Sequence, residues 1–257
     1  MKTLILAAGK GSRTQGLTKN LPKSLFPLND NKDSILSFLI NNLTEHDLND
    51  FVIVGGYEID NLRSEIGKIC SKSCNYVIVN ANPDYQKGPI YSFLSATNEL
   101  INEDQFLLLP ADSIFSSSLF KYLKDQVFSK DICHLFYYKS NTIPLSGSQC
   151  ILCNFSNISS EVEKIVPLKK WKEEYLEQNN FYPILVSALI LPYTFFEVAK
   201  KSLGSGVKNV ISALNSFCKI EKCCCAHQIS FDSLNWIFHD FDTPNDLEKI
   251  RSIIKTK

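Results

Sequence analysis

The chain has 257 residues, 44% of them hydrophobic, so it is long enough to bury one large core or two small ones. Lysine and arginine (27) balance aspartate and glutamate (27), which leaves no broad basic face for a nucleic acid. The longest apolar run, YPILVSALILP, falls far short of the roughly 18–20 residues of a membrane-spanning helix, so no membrane insertion is expected.

The opening MKTLILAAG faintly mimics a secretory leader. Its apolar stretch is shorter than the roughly 7–15 residues such a leader needs, and it runs straight into Gly9-Lys10-Gly11. It reads as the first strand of a cytoplasmic protein. After the glycine loop, SILSFLINNLTEH carries apolar residues at Ile35, Leu36, Leu39, Ile40 and Leu43, the spacing of a helix. FVIVGG, NYVIVNA and QFLLLPAD read as strands; EIDNLRSEIGKI, PIYSFLSATNELI and SSLFKYLKDQVF read as helices between and after them. Near-continuous Val/Ile/Leu strands alternating with helices predict a doubly wound α/β fold with a mostly parallel sheet, and ligands beyond the carboxyl ends of its strands.

Past residue 140 the pattern loosens. SQCILCNF and EVEKIVPL predict a strand pair, and FYPILVSALILP a buried strand leading into a helix at YTFFEVAKKSL. Near the end, Thr243 is placed as a helix N-cap, Pro244 at the first helical position and Asp246 in a capping box, with Leu247, Ile250, Ile253 and Ile254 on one helical face. No repeat is present, so one domain accounts for residues 1–257.

Nine cysteines include one CxxC pair (Cys150, Cys153), the pair Cys70 and Cys74, and a cluster from Cys218 to Cys225 near His227. Their odd number and irregular spacing argue against a disulfide framework, and structural zinc normally needs two clean ligand pairs. They are read as buried or neutral thiols. His46, His134, His227 and His239 are scattered, with no partner that indicates base catalysis.

The stretch LAAGKGSRTQGLTKNLPKSLFPL carries the strongest chemical signal. It is not a Walker A loop, because Leu17 stands where the lysine must be, nor a dinucleotide fingerprint, because Thr14 replaces the third glycine. Gly9 and Gly11 let backbone N–H groups approach phosphate oxygens, Arg13 offers a planar fork of donors, and Lys23 a compact charge. Gly9, Gly11, Arg13, Thr18, Pro22 and Lys23, in that order, make the stretch resemble the signature of the NTP-dependent sugar- and polyol-phosphate nucleotidyltransferases, enzymes of MobA-like, Rossmann-like fold. That resemblance implies that the segment Leu6, Ala7, Ala8, Gly9, Lys10 and Gly11 binds nucleotide. It also implies that Arg13 faces the leaving pyrophosphate and Lys23 the α-phosphate.

The carboxylates follow the same resemblance. Asp112, at the carboxyl end of an apolar strand, matches the family's metal ligand, although an aspartate there would also cap a helix beginning near Ser116. HDFDTPNDL is similar to the ending of the cytidylyltransferase members, which implies that Asp240 and Asp242 join Asp112 on Mg²⁺ or Mn²⁺; which of the two binds directly is open. NPDYQKGPIYSFLSA resembles the segment of inositol-phosphate and phosphocholine cytidylyltransferases that touches nucleotide, which points to Gly88, Tyr91 and Ser92, with core packing as the alternative for Tyr91. Lys169 and Lys170 match a position that meets the acceptor's phosphate, with a solvated charge cluster as the alternative.

The expectation is therefore a Mg²⁺-dependent nucleotidyltransferase that joins an NTP, preferably CTP, to a small phosphorylated acceptor and releases pyrophosphate. Nucleotide is assigned to about 1–115 and acceptor to about 116–257, and a homodimer is left open. UTP or dTTP with a sugar 1-phosphate is the alternative. A non-catalytic nucleotide-binding regulator would have no need of the metal carboxylates, and a metal-dependent glycosyltransferase no need of the Lys23 motif.

Overall fold

The computed structural model describes residues 1–257 other than 15, 18, 19, 30–32, 71–73, 142–149, 156–161, 168–180, 222, 223, 232–235, 256 and 257. Thr18, Lys169, Lys170 and Cys223 lie outside the described residues, as do the side chains of Cys150 and Cys153.

The first half follows the predicted alternation. Strand β1 (Thr3–Leu6) is followed by α1 (Ile35–Thr44), β2 (Asp50–Gly55), α2 (Ile59–Ile69), β3 (Asn75–Asn80) and α3 (Pro89–Leu94). Helix α1 starts where Ser34 and Ser37 exchange side-chain-to-backbone hydrogen bonds, a reciprocal cap that satisfies two amides at once. The helix expected over PIYSFLSATNELI is shorter than predicted: α3 stops at Leu94, and a separate 3₁₀ turn covers Thr97–Leu100. Ser95 and Thr97 hydroxyls bond the carbonyls of Ser92 and Leu94, competing with the helical ladder at the break.

Strands β4 (Gln105–Pro110) and β5 (Ser113–Phe115) lead to α4 (Ser117–Asp125) and β6 (Cys133–Ser140). Then come the predicted pair β7 (Cys150–Phe155) and β8 (Val162–Pro167), which is antiparallel, and the long β9 (Tyr182–Pro192). The chain closes with α5 (Phe195–Gly204), α6 (Val210–Glu221), β10 (Cys224–Gln228), β11 (Phe238–Asp240) and α7 (Pro244–Lys255).

Seven strands form a path in the order β10-β6-β9-β4-β1-β2-β3. Along that path β9 alone runs against its neighbours, so the sheet is mostly parallel. Its two faces carry separate apolar layers. Phe93, Phe106, Phe195 and Phe196 pack on one face, where the Phe93 and Phe196 rings stack at 4.5 Å. Leu36, Leu39, Ile66, Leu119 and Phe120 cover the other. This is the predicted doubly wound arrangement, since each layer of helices can bury its apolar stripe only against a sheet face.

Strand β3 departs from the fully buried pattern. It forms one edge of the path and exposes Tyr76 and Val77. The second half adds β6, β10 and α6, which sequence periodicity had not marked. One expectation about side chains is corrected there, and one contact is added. Cys218 in α6 and Cys224 at the start of β10 form a disulfide, with their Cα atoms 5.6 Å apart. His134 and His227, distant in sequence, lie side by side because β10 pairs parallel with β6. Burial holds the His134 pKa below its ordinary value, and burial together with the neighbouring His134 takes His227 down to about 4. Among the described residues no helix is long and apolar enough to cross a membrane.

Candidate active site

The chain runs outward from β1 through β2 to β3, then returns to place β4 on the other side of β1. A crevice must open at that switch point, beyond the carboxyl ends of β1 and β4. The glycine loop leaves β1 there. Its base is clipped to the end of β2: Ala7 donates to the Val54 carbonyl (2.8 Å), and the Ala8 carbonyl accepts from Tyr57 N–H (3.2 Å). Gly11 takes φ of 74°, a conformation that favours glycine, and its carbonyl accepts from both N–H (3.1 Å) and Oγ1 (2.7 Å) of Thr14. A methyl group on Gly9 would meet nothing within 4 Å, because the space beside it is the cleft itself.

The acidic residues arrive on a short ribbon. Asp112 follows β4, and β5 pairs antiparallel with β11 so that Ser113 stands opposite Asp240. Phe241 N–H donates to the Asp112 carbonyl (2.8 Å), locking the two acidic segments together. A third apolar cluster of Ile114, Trp236, Phe241, Leu247 and Ile250 anchors this ribbon to α7. Thr243, Pro244 and Asp246 behave as predicted: Asp246 Oδ2 accepts from the amides of Asp242 (3.1 Å) and Thr243 (2.7 Å) and from Thr243 Oγ1 (2.8 Å). Asp246 therefore closes the cap and fixes the backbone that carries Asp242.

Lys23 lies at the centre of the cluster. The φ of −53° at Pro22 starts a 3₁₀ turn over Lys23–Leu25, and Arg251 on α7 ties the following segment down through the carbonyls of Pro27 (3.3 Å) and Leu28 (3.1 Å). The lysine is 6% exposed, and its Nζ sits 2.6 Å from Asp112 Oδ2 and 2.7 Å from Asp242 Oδ1. Arg13 Nη2 lies 2.9 Å from the same Asp242 oxygen. Burial alone would lower the Lys23 pKa, but Asp112 and Asp242 outweigh it and raise it above its ordinary value. Asp240 accepts from Ser113 Oγ; its loss of water, with the charges of Asp112 and Asp242 nearby, pushes its pKa up to about 7 despite that bond. Asp112 does not cap α4, whose N-cap is Ser116.

These side chains fit a hard divalent cation. The carboxylates of Asp112 and Asp242, oxygen donors of the kind Mg²⁺ and Mn²⁺ prefer, converge on one point, and Asp240 lies near enough that burial first and then their charges raise its proton affinity. The ammonium of Lys23 already occupies a position between two of them.

In front of the cluster opens a cleft of about 810 Å³. Of the residues singled out from sequence, Leu6, Ala8, Gly9, Lys10, Gly11, Arg13, Lys23, Ser92 and Asp112 line it. Asp242 reaches it through its ion pairs with Arg13 and Lys23. Four candidates are placed elsewhere: Asp240 is turned to Ser113 on the ribbon and does not line the cleft. Ala7 packs into the core. Tyr91 packs against the opposite core layer, with Lys87 Nζ 5.5 Å from its ring centre. The close approach that Gly88 permits is to the chain: a methyl there would lie 2.7 Å from the Lys208 carbonyl oxygen.

Tyr57, Tyr85, Gln86, Pro89 and Pro110 also line the cleft and were not picked out. Tyr57 follows β2 at the carboxyl edge of the sheet, where such residues are to be sought. Gly56 makes room for Tyr85, since a methyl there would fall 2.6 Å from the tyrosine Cγ.

The MobA-like NTP transferase domain matches residues 3–211, well over half of the chain. The chain belongs to that family. Among curated relatives, a choline-phosphate cytidylyltransferase of Streptococcus pneumoniae is 30% identical over 124 residues, 47% of this chain and 48% of the relative, so the match spans about half of that protein's length. A CTP:phosphoglutamine cytidylyltransferase of Campylobacter jejuni is 26% identical over 261 residues, covering 96% of this chain and 98% of the relative. Among solved structures, the inositol-1-phosphate CTP transferase from T. maritima superimposes with a TM-score of 0.74 at 19% identity, covering 99% of this chain and 96% of that one. The fold of that structure thus extends over nearly the whole chain, and the glycine loop, Lys23 and Asp112 lie inside the region matched by the family.

Proposed function

We propose that this MobA-like NTP transferase chain catalyses nucleotidyl transfer from an NTP, with CTP preferred, to a small phosphorylated sugar, polyol, amino alcohol or phosphonate. The observation that carries the reading is the Lys23 ammonium, held between Asp112 and Asp242 at the mouth of a cleft lined by the glycine loop. A buried lysine among carboxylates, next to amides and an arginine fork, serves a substrate whose negative charge shifts during reaction. Two cytidylyltransferase relatives and a CTP transferase of the same fold support the choice of CTP.

In this account the glycine-loop amides and Arg13 hold the triphosphate, with Arg13 toward the β- and γ-phosphates that depart as pyrophosphate. Lys23 offers its ammonium to the α-phosphate, where charge builds as the acceptor oxygen attacks in line. Asp112, Asp240 and Asp242 would hold Mg²⁺ or Mn²⁺, which when bound screens the triphosphate charge and stabilises the departing oxygens. No general base is needed, because a phosphate monoester already presents an anionic oxygen at neutral pH. The acceptor is assigned to the half from about residue 116 onward, with Lys169 and Lys170 proposed to meet its phosphate.

The test is a matrix of four NTPs against phosphorylated acceptors of these classes, read by pyrophosphate release. Release with CTP exceeding that with UTP and dTTP supports the reading. An NTP that binds without any pyrophosphate release across the panel sinks the enzyme assignment, and a clear preference for UTP or dTTP sinks the choice of CTP.

A further inference from the structure

At the edge of the sheet opposite β3, the parallel pairing of β10 with β6 sets Cys225 directly across from His134 and His227 across from Phe136. Residues two apart on a strand share a face, so Cys225 and His227 face the same side as His134. One ligand atom from each of these three residues lies within 4.8 Å of the others. His134 is buried, whereas Cys225 and His227 are half-buried, which leaves an approach from solvent.

The proton positions follow from the partners. Ser129 carbonyl, 2.8 Å from His134 Nε2, can only accept, so Nε2 carries the hydrogen and Nδ1 presents its lone pair. That lone pair faces His227 Nε2 at 2.9 Å, and His227 Nδ1 lies 3.1 Å from the Tyr122 hydroxyl. The two imidazoles thus turn one nitrogen each toward a common point, while their outer nitrogens are held by a backbone carbonyl and a phenol. Outer partners of this kind orient metal-bound histidines. The ring of Phe128 closes the site, 4.9 Å from His134 and 5.5 Å from His227.

We propose that His134 Nδ1, His227 Nε2 and Cys225 Sγ form a binding site for a zinc-type divalent cation, separate from the active-site carboxylates. Two imidazoles and a thiolate suit this borderline-soft ion and not Mg²⁺. Bond lengths of about 2.0–2.1 Å to nitrogen and about 2.3 Å to sulfur place tetrahedral ligands about 3.3–3.6 Å apart. The two nitrogens need open only slightly from their present 2.9 Å. On binding, the Cys225 thiol releases its proton. The hydrogen on His227 Nε2 moves to Nδ1, where Tyr122 Oη becomes the acceptor. Water takes the fourth position. The ion would tie β10, the outermost strand of the path, to β6 and, through Tyr122, to α4.

The test uses the full chain, stripped with chelator and handled under anaerobic conditions without added thiol, so that the Cys218–Cys224 bridge stays closed, and titrated with Co²⁺ as a spectroscopic substitute and then with Zn²⁺. One thiolate-bound Co²⁺ per chain, seen as a thiolate-to-cobalt band in the near ultraviolet that Zn²⁺ displaces, is expected. Cys225→Ala should abolish the band, and Tyr122→Phe should weaken Zn²⁺ binding about tenfold or more. Should Cys225→Ala fail to fold, His227→Gln must remove the same signal. No thiolate band, or a band that survives these substitutions, overturns the proposal and leaves the histidines as a hydrogen-bonded pair only. Cobalt bound to the active-site carboxylates gives no such band, so the two sites are read apart.

Discussion

Replacing Lys23 by methionine keeps most of the side-chain volume while removing the charge at the centre of the acidic cluster. The ammonium contacts two carboxylates at 2.6 and 2.7 Å and is 6% exposed. Breaking a buried ion pair from one side costs about 3–5 kcal/mol. Here the side chain of Asp112 is 32% exposed and recovers part of its hydration, and Asp242 keeps Arg13 at 2.9 Å. We therefore expect Lys23→Met to lose about 2–3 kcal/mol in the metal-free protein, less than a fully buried pair would cost. For a chain of this size that is roughly 4–12 °C in Tm. Turnover should fall about a hundredfold or more, because the charge that meets the reacting phosphate is gone. Differential scanning fluorimetry should also show Mg²⁺ stabilising the variant more than the parent, since the cation then has no ammonium to displace. Unchanged Tm with near-parental turnover would refute the role given to Lys23, and an equal response of both proteins to Mg²⁺ would refute the assignment of its carboxylates to metal.

The raised pKa of Asp240, about 7 against an ordinary 3.8, means that the metal-free fold takes up a proton there as pH falls from 7 toward 4, so stability linked to this group grows over that window and is absent above it. Asp240→Asn should accordingly raise Tm at pH 8 by more than at pH 4.5, and a gap independent of pH would contradict this. Asp246→Ala removes the acceptor of three hydrogen bonds around Asp242 and Thr243; urea unfolding should show a loss of about 1–2 kcal/mol, with turnover also reduced. Gly9→Ala should fold with parental Tm yet bind NTP poorly in calorimetry, because its methyl enters empty cleft, whereas Gly56→Ala should lower Tm by forcing Tyr85 aside. Equal NTP affinity of Gly9→Ala and the parent would remove the glycine loop from the binding site.

The first half of the fold was legible because its signals are local. Runs such as FVIVGG and QFLLLPAD can be buried only inside a parallel sheet, and the glycine loop, Lys23 and Asp112 sit where strand ends must place them. The Thr243–Asp246 cap was equally readable, since all its partners lie within a few residues. What stayed hidden depends on long-range register. The contact of His134 with His227 exists only because β10 pairs with β6 across more than ninety residues, and no periodicity in CCCAHQ announces that edge strand. The Cys218–Cys224 bridge required knowing that the end of α6 and the start of β10 lie side by side. Gly88 was legible as a place of close approach, but whether to ligand or to the Lys208 backbone depends on where the α5–α6 connection passes.

The central claim, attack at the α-phosphorus with loss of pyrophosphate, is tested most directly by following label from CTP carrying ³²P at either the α or the γ position, in the presence of a phosphorylated acceptor. The account predicts α-label in the nucleotide-activated product and γ-label in pyrophosphate, both formed about a hundredfold or more slowly by Lys23→Met. Transfer of γ-label to the acceptor or its release as orthophosphate, with α-label left in the diphosphate, would contradict it.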